Sequence, residues 1–446
     1  MAGRLLQSVL LLAAVAQTVY SQATCGGGKQ CPEDKPCCSQ YGECGVGAYC
    51  LGGCDPVNSK SLDSCVPSPQ CQSKTYNFDN LDRVVSNTKY LGDASKADWV
   101  SSGQPLSHNG QVLLTMAEGT VGTLLASTTY VWYGKINARF STSAGAGVVT
   151  AFILLGDSKD EIDFEFVGVE LETAETNFYS QGVTNYNNGG KTTGLTDVHE
   201  NMHDYEIDWQ PDTITWSIDG KVVRTLDRDS TWNATANRYS FPQTPSRVQL
   251  SLWPGGLPTN GEGTIEWAGG LVEWDSQYMT NGYYYAAFDS VSVQCYDPPA
   301  GAQGSGTKAY IFTDKSMTNA SVEMTNDNTV LKSLLGTGTN MSADYAHSSA
   351  SASGSDVATV PGLNGAGPGT NGQRPDNGTD GGSSSSDNGG DNSGSNTAST
   401  TGSASTGFVQ GGGGANGAGQ LGGNSETVLK GSLFAVVVAI VGLCVL

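Results

Sequence analysis

Positive charge is scarce in this chain. Its 446 residues carry 22 Lys and Arg against 43 Asp and Glu, a net charge of −21. Nucleic-acid binding needs a basic footprint, and this composition excludes it. Neither a GxxxxGK[ST] loop nor a strand–turn–helix dinucleotide fingerprint occurs, so nucleotide phosphates have no cradle. Histidine is scarcer still, with four residues. Two of them, His199 and His203 in HENMH, match the H-E-x-x-H zinc pattern. That chemistry needs both rings on one helix face, yet the flanks GLTDV and DYEIDW read as turn and strand, and no third ligand is evident. The expectation is no metal and no cofactor. Long helical periodicity with caps is also missing, which removes the helical fold classes.

What is present is strongly regional. MAGRLLQSVLLLAAVAQTVYSQA has an early Arg4, a short apolar run from Val9 to Ala16, then small residues. Residues 1–23 read as a secretory signal cleaved after Ser21 or Ala23, the run being short for a span of ~20 residues. At the other end, Gly422 to Ser425 precede a spacer with Lys430 and an apolar tail from Leu433 to Leu446. That order reads as a glycosylphosphatidylinositol (GPI) signal over 424–446, with attachment at Asn424 or Gly423. Residues 298–423 are rich in Gly, Ser, Thr, Asn and Ala and nearly free of aromatics. Such a segment buries too little apolar surface to offset its ordering entropy, so a disordered stalk is expected. N-glycosylation sequons stand at Asn319, Asn340 and Asn377, and a fourth, Asn233, lies upstream.

Nine of the eleven cysteines lie between Cys25 and Cys71, with Cys295 and Cys444 apart. In a secreted chain such density means disulfides rather than zinc, since no histidine lies nearby. CGGGKQCPEDKPCCSQYGECGVGAYCLGGC is too poor in aliphatic residues to fold around an apolar core and needs staples. CCSQYGECG followed by Tyr49-Cys50 resembles the hevein-like chitin-binding module, over residues 24–56. The resemblance implies that Ser39, Tyr41 and Tyr49 bind N-acetylglucosamine, by stacking of sugar C–H faces on rings and by hydrogen bonds. Glu43 stands where that family often has an aromatic residue, and the cysteine spacing is shortened. A disulfide knot serving only as a spacer is the competing reading. The same resemblance implies Cys25–Cys38, Cys31–Cys44 and Cys37–Cys50. Cys65–Cys71 would then close a local loop, leaving Cys54 for Cys295.

From Tyr76 to Tyr296 the chain is rich in Thr, Val, Tyr, Trp and Phe, punctuated by Gly, Asn, Asp and Pro. That is the signature of many short strands. YEIDWQPDTITWSIDG, Tyr205 to Gly220, reads as a hairpin. The expected fold is all-β, an antiparallel two-sheet sandwich of the jelly-roll kind over residues 57–297, with 57–70 as linker.

Within it stands DEIDFEFV, Asp160 to Val167. On a strand, Glu161, Asp163 and Glu165 share one face, and Ile162, Phe164 and Phe166 share the other. Three carboxylates in a row raise one another's pKa and cost stability. A solvated acidic face would not need such regularity, and calcium usually draws its ligands from loops. Paired carboxylates of unlike protonation are what a retaining glycosidase uses. Spacing alone leaves the pairing open: Glu161 and Glu165 are ~13 Å apart at Cα, Glu161 and Asp163 ~6.6 Å.

EIDFE resembles the catalytic motif of glycoside hydrolase family 16. HDYEIDW and LSLWPGGLPTNGEGTIEWAGG resemble its fungal Crh group of GPI-anchored chitin–glucan transglycosylases. The resemblance, over about Cys71 to Tyr296, implies Glu161 as nucleophile, Asp163 as assisting acid and Glu165 as general acid/base. It implies chitin and β-glucan as partners, and a secreted enzyme, a monomer, tied by lipid to membrane and wall. In RVQLSLW, alternation sends Val248, Leu250 and Leu252 inward and Arg247, Gln249, Ser251 and Trp253 to the other face. Trp253 is the expected stacking platform, with Arg247, Gln249 and Thr264 as polar partners, Thr264 on a GEGTIEW strand. A plain endo-glucanase or chitinase, or a wall-anchored chitin-binding protein without activity, are the alternatives.

Overall fold

The computed structural model describes residues 23–345 and 359–361. The leader through residue 22, Asn377, Gly423, Asn424 and the apolar tail lie outside the described residues. No helix among those described is long and apolar enough to cross a membrane.

Two eight-stranded sheets make the body. The front sheet contains β1 (Val84–Ser86), β2 (Trp99–Ser102), β3 (Thr123–Val131), β4 (Val148–Gly156), β5 (Glu161–Val167), β6 (Thr173–Tyr179), β7 (Gly190–Thr193) and β8 (Ser246–Pro254). Their spatial order is β7-β6-β5-β4-β8-β3-β2-β1. All neighbours are antiparallel except β1 and β2. The back sheet runs Lys221–Asp227, Thr213–Ile218, His203–Trp209, Gly134–Ser141, Tyr283–Cys295, Gln111–Ala117 and Pro105–His108, with Lys74–Asn77 also paired to Tyr283–Cys295. It is the jelly-roll sandwich that the strand pattern predicts. The YEIDW hairpin forms as read, turning through residues 210–212, and Asp219 and Gly220, at φ 50° and 75°, turn the chain again into Lys221–Asp227.

Alternation decides which side chains fill the space between the sheets. From the front come Phe152, Phe164, Phe166, Val248, Leu250 and Leu252; from the back come Phe140, Tyr205 and Phe288. Phe140 lies edge-on to Phe166 with ring centroids 5.4 Å apart, and Phe164 packs on Tyr205 at 5.5 Å. These contacts bury the apolar half of β5 and hold its acidic half outward.

Two expected boundaries are corrected. Residues 298–345 are folded, not a stalk: Gln303–Gly304, Ala309–Phe312 and Val322–Thr325 join Ser68–Pro69 in a four-stranded sheet. Tyr310 and Val322 enter the main core, Tyr310 edge-on to Trp132 at 5.7 Å. A few buried aromatic and branched residues anchor the strap although its average composition is polar. The linker 57–70 is likewise incorporated, with Val66 in a second apolar cluster beside Leu51, Tyr90 and Leu331.

Cysteine pairing departs from expectation at one end. Cys25–Cys38, Cys31–Cys44 and Cys37–Cys50 each span 13 residues. Cys65 joins Cys54, and Cys71 joins Cys295, in place of Cys65–Cys71 and Cys54–Cys295. The reason is strand pairing. Lys74 lies opposite Val293, which draws Cys71 and the end of Tyr283–Cys295 together, with Cα atoms 6.0 Å apart.

Candidate active site

β5 carries seven residues and all are buried. Register with its neighbours lays the outward face out as rows. One row reads Tyr179, Glu161, Leu155, Arg247; the next Asn177, Asp163, Ile153, Gln249; the next Glu175, Glu165, Ala151, Ser251. Three acids of β5 therefore meet a fourth, Glu175, directly across from Glu165. TAETNFY alternates in the same way as EIDFEFV, so its period of two, read beside β5, carried the signal for Glu175.

Burial sets the electrostatics. Glu161, Asp163 and Glu165 are only 5%, 1% and 6% exposed. The Glu161 carboxyl is held well above its usual range by burial and then by Asp163. Burial pushes Asp163 up to about 7, with Arg224 opposing and Glu175 adding. Glu165 is raised well above its usual range by burial, then by Asp163, Glu161 and Glu175. Glu175 is raised by burial, but Lys191, with Nζ 2.9 Å from Oε1, pulls back, and Trp267 Nε1 donates to its oxygens at 3.2 and 3.3 Å. Coupled acids of this kind share protons: one ionises while a neighbour stays protonated.

The first acid of the segment has another job. Asp160 is fully buried and accepts from Gln243 N, Thr244 N, Thr244 Oγ1 and Gln181 N at 2.8–3.1 Å. It ties the start of β5 to the segments entering β8 and leaving β6. Trp216 Nε1 adds a bond to the Asp163 carbonyl at 3.0 Å. The acidic row therefore stands on a strand fixed from both sides.

The remaining expected residues scatter. Arg247 and Gln249 lie on the outward face of β8, two strands from β5, and both are buried. Trp253 shares that face, but Trp267 covers it, with ring centroids 6.1 Å apart and an interplanar angle of 29°. Trp253 is 1% exposed, so the open platform expected of it is corrected to a packed pair. Thr264 is on a helix, α1 (Glu262–Trp267), not a strand. A helical turn there delivers Trp267 onto Trp253 and leaves Thr264 fully buried. Ser39 and Tyr49 are buried inside the cysteine-rich module. Ser39 Oγ accepts from Tyr41 N and Glu43 N, and Tyr49 sits in an apolar cluster. Both nevertheless line one cavity with Tyr41. Tyr41 is half-buried against the sandwich. The HENMH segment is no helix: His199 lies in a turn 2.8 Å from the Thr142 carbonyl, and His203 opens a strand 2.7 Å from Asp219. Of the sequons, Asn233 and Asn340 are exposed. Asn319 instead donates Nδ2 to Tyr133 Oη at 2.8 Å and accepts from Trp132 Nε1 at 2.9 Å, so its amide is engaged in tying the strap to the sandwich.

Residues 93–269 match the family described as glycosyl hydrolases family 16. The chain is 57% identical over 334 residues to Crh-like protein 3 of Botryotinia fuckeliana, covering 75% of each chain. It is 56% identical over 355 residues to Crh-like protein 2 of Aspergillus fumigatus, covering 78% of this chain and 80% of that one. Among solved structures, Crh5 transglycosylase in complex with NAG aligns at 30% identity over 61% of this chain and 99% of that one, with a TM-score of 0.49.

Proposed function

Since this chain belongs to glycosyl hydrolase family 16, among its Crh-like proteins, we propose that it is a retaining transglycosylase that cuts chitin and joins it to β-glucan or chitin. The observation that carries this is the row of buried, mutually raised acids on one rigid strand. Glu161, the nucleophile, attacks the anomeric carbon of the donor as its glycosidic C–O bond breaks. Glu165 gives its proton to the leaving oxygen. A covalent glycosyl ester on Glu161 results. An acceptor hydroxyl then gives its proton to the Glu165 carboxylate and attacks the anomeric carbon, and the ester bond to Glu161 breaks. Two inversions give net retention.

Asp163 sits between the two and acts as assistant. Its charge raises both neighbours, which keeps Glu165 protonated in the resting row. As Glu161 loses charge to the ester, the repulsion on Glu165 falls and its pKa falls with it, so Glu165 stays ionised and available to take the acceptor's proton. The same row thus serves both half-reactions. Water in place of the acceptor gives hydrolysis as the side reaction.

The site of action in this reading is the fungal cell wall. The leader, the low-complexity segment and the anchor signal with attachment at Asn424 or Gly423 support a secreted, lipid-tethered protein. The test is product analysis with the chain carried through residue 361, because residues 298–345 belong to the fold. Chitin oligomers and a labelled laminarin oligomer are incubated with wild type and with Glu161→Gln. Labelled hybrids from wild type alone are the expected result. Shortened chitin without hybrids would make the protein a hydrolase, and no turnover with retained binding would make it a wall lectin.

A further inference from the structure

Along its own strand the acid row is symmetric. Asp163 lies two residues from Glu161 and two from Glu165, and all three carboxyls are buried. Burial and Asp163 raise both glutamates. A retaining enzyme nevertheless needs one of them ionised while the other holds a proton. Nothing on β5 decides which is which.

The strand beside it does. Register puts Tyr179 across from Glu161, Asn177 across from Asp163 and Glu175 across from Glu165. Side chains directly opposed on neighbouring antiparallel strands have Cβ atoms ~5 Å apart. Glu165 therefore has an acid along its strand and a second across from it, whereas Glu161 has Asp163 and a phenol. That phenol is neutral, because burial and the three acids raise it, and its Oη accepts from Asn177 Nδ2 at 2.8 Å. Glu175 adds to the charge that raises Glu165 and Asp163.

Glu175 is also equipped to carry charge. On its far side the row continues to Lys191 of β7, directly opposite, with Nζ 2.9 Å from Oε1. Lys191 is itself fixed by Glu170 at 3.0 Å. Trp267 Nε1 donates to both Glu175 oxygens at 3.2 and 3.3 Å while its ring lies on Trp253, so α1 locks the carboxyl in place. A cation and an indole N–H favour the ionised form against burial. The two remaining cations near the row leave its two ends to Glu175. Arg224, behind the sheet, donates to the Thr176 carbonyl, lies over Trp216 and acts on the central Asp163. Arg247 shares the Glu161 row but lies two strands off, ~10 Å away at ~4.8 Å per strand. The cysteine-rich module occupies it: Nη2 donates to Gln40 Oε1 at 3.0 Å, and a Cβ on Gly52 would lie 2.6 Å from Nη1.

We propose that Glu175 is the positioning residue that assigns the two roles: its carboxylate, held by Lys191 and Trp267 directly across from Glu165, keeps the shared proton on Glu165 and leaves Glu161 bare for attack. This rests on the retaining-glycosidase reading of the row and specifies how that row divides its labour.

The test is a carbon-13 NMR titration of the glutamate carboxyls in the full chain, with the two resonances assigned from Glu161→Gln and Glu165→Gln. Glu165 should titrate above Glu161 in wild type. Glu175→Gln, which keeps an acceptor for Trp267, should lower the Glu165 midpoint by about one unit and move Glu161 less, so the gap narrows. Lys191→Met strips Glu175 of its cation and should move the Glu165 midpoint upward. Trp267→Phe keeps a ring on Trp253 but removes the N–H donor, and should move it the same way by less. The alkaline limb of kcat/KM on chitin oligomers should follow the midpoint in each variant. An unmoved Glu165 midpoint in Glu175→Gln, equal movement of both glutamates, or turnover lowered at every pH with the limb in place overturns the proposal. If Glu175→Gln lowers the melting temperature, Lys191→Met decides instead, and a midpoint that stays or falls overturns the proposal. The titration needs no turnover, so the two readings fail separately. Turnover without a response of the gap sinks the role of Glu175 alone. A responsive gap without wild-type turnover sinks the enzymatic reading, and the division of roles with it.

Discussion

Asp160 and Asp163 are three residues apart, equally buried, and opposite in design. Asp160 sits among four donors from two other segments, so its charge is spread over bonds that hold the sheet together. Asp163 sits between Glu161 and Glu165 with Glu175 near, so it raises its neighbours' pKa values and is itself pushed up to about 7. Burial alone therefore does not mark a functional carboxylate. What distinguishes the two is whether surrounding groups stabilise the charge or compete with it.

The largest expected effect breaks the row at its nucleophile. Glu161→Gln should lower turnover by about a thousandfold or more, since the covalent route is lost. The same substitution should raise the melting temperature, because it removes a carboxyl whose ionised form is opposed in the fold. Thermal unfolding beside an activity assay reads both.

Breaking the other acid should do the reverse. Asp160→Ala strands the donors at Gln243, Thr244 and Gln181 and should cost about 3 kcal/mol, read by denaturant unfolding. Asp160→Asn keeps an acceptor and should lose less than Asp160→Ala.

A third expectation concerns pH. The acids of the row have folded pKa values above their unfolded ones, so the folded state binds protons more tightly. Stability is then full below about 4 and falls as pH rises toward the folded values, near 7 for Asp163. The gain in melting temperature from Glu161→Gln should accordingly be larger at pH 7 than at pH 4. Activity should fall on the alkaline side as the row loses its last proton. Asp163→Asn should move that limb to lower pH by removing a charge that raises Glu165. An unmoved limb would remove Asp163 from the role assigned to it.

The smallest expected effect lies far from both acids. Asn319→Gln displaces an amide that bonds Trp132 and Tyr133 and should cost about 1 kcal/mol, with unchanged KM for short donors. Intact-mass analysis should find no glycan at Asn319, since its Nδ2 already donates to Tyr133.

The fold class and the acid row were legible because both are local. A period of two over seven residues is enough to sort EIDFEFV and RVQLSLW into inner and outer faces. Glu175 was equally readable in TAETNFY, but its pairing with Glu165 depends on β5 and β6 coming into register. Thr264 defeats the same logic, because TIEW alternates on paper while packing against Trp253 favours a helical turn. Composition misplaced the strap, where a handful of residues such as Tyr310 and Val322 outweigh a polar average. Docking of the module left no local trace. It needs glycines at 52 and 53, which by themselves read as a turn.

The bridge from Cys71 to Cys295 has a consequence in time. Among the described residues four bridges close over 11 to 13 residues, while this one spans 224. As the chain enters an oxidising compartment from its N-terminus, the short bridges can form first. Cys71 must wait, as a free thiol, until nearly the whole sandwich has followed it. Cys65 is its nearest rival partner, and early closure of Cys54–Cys65 removes that rival. Oxidation in the order of emergence therefore guards the last bridge, which then reports that the first and last strands of the sandwich have found each other.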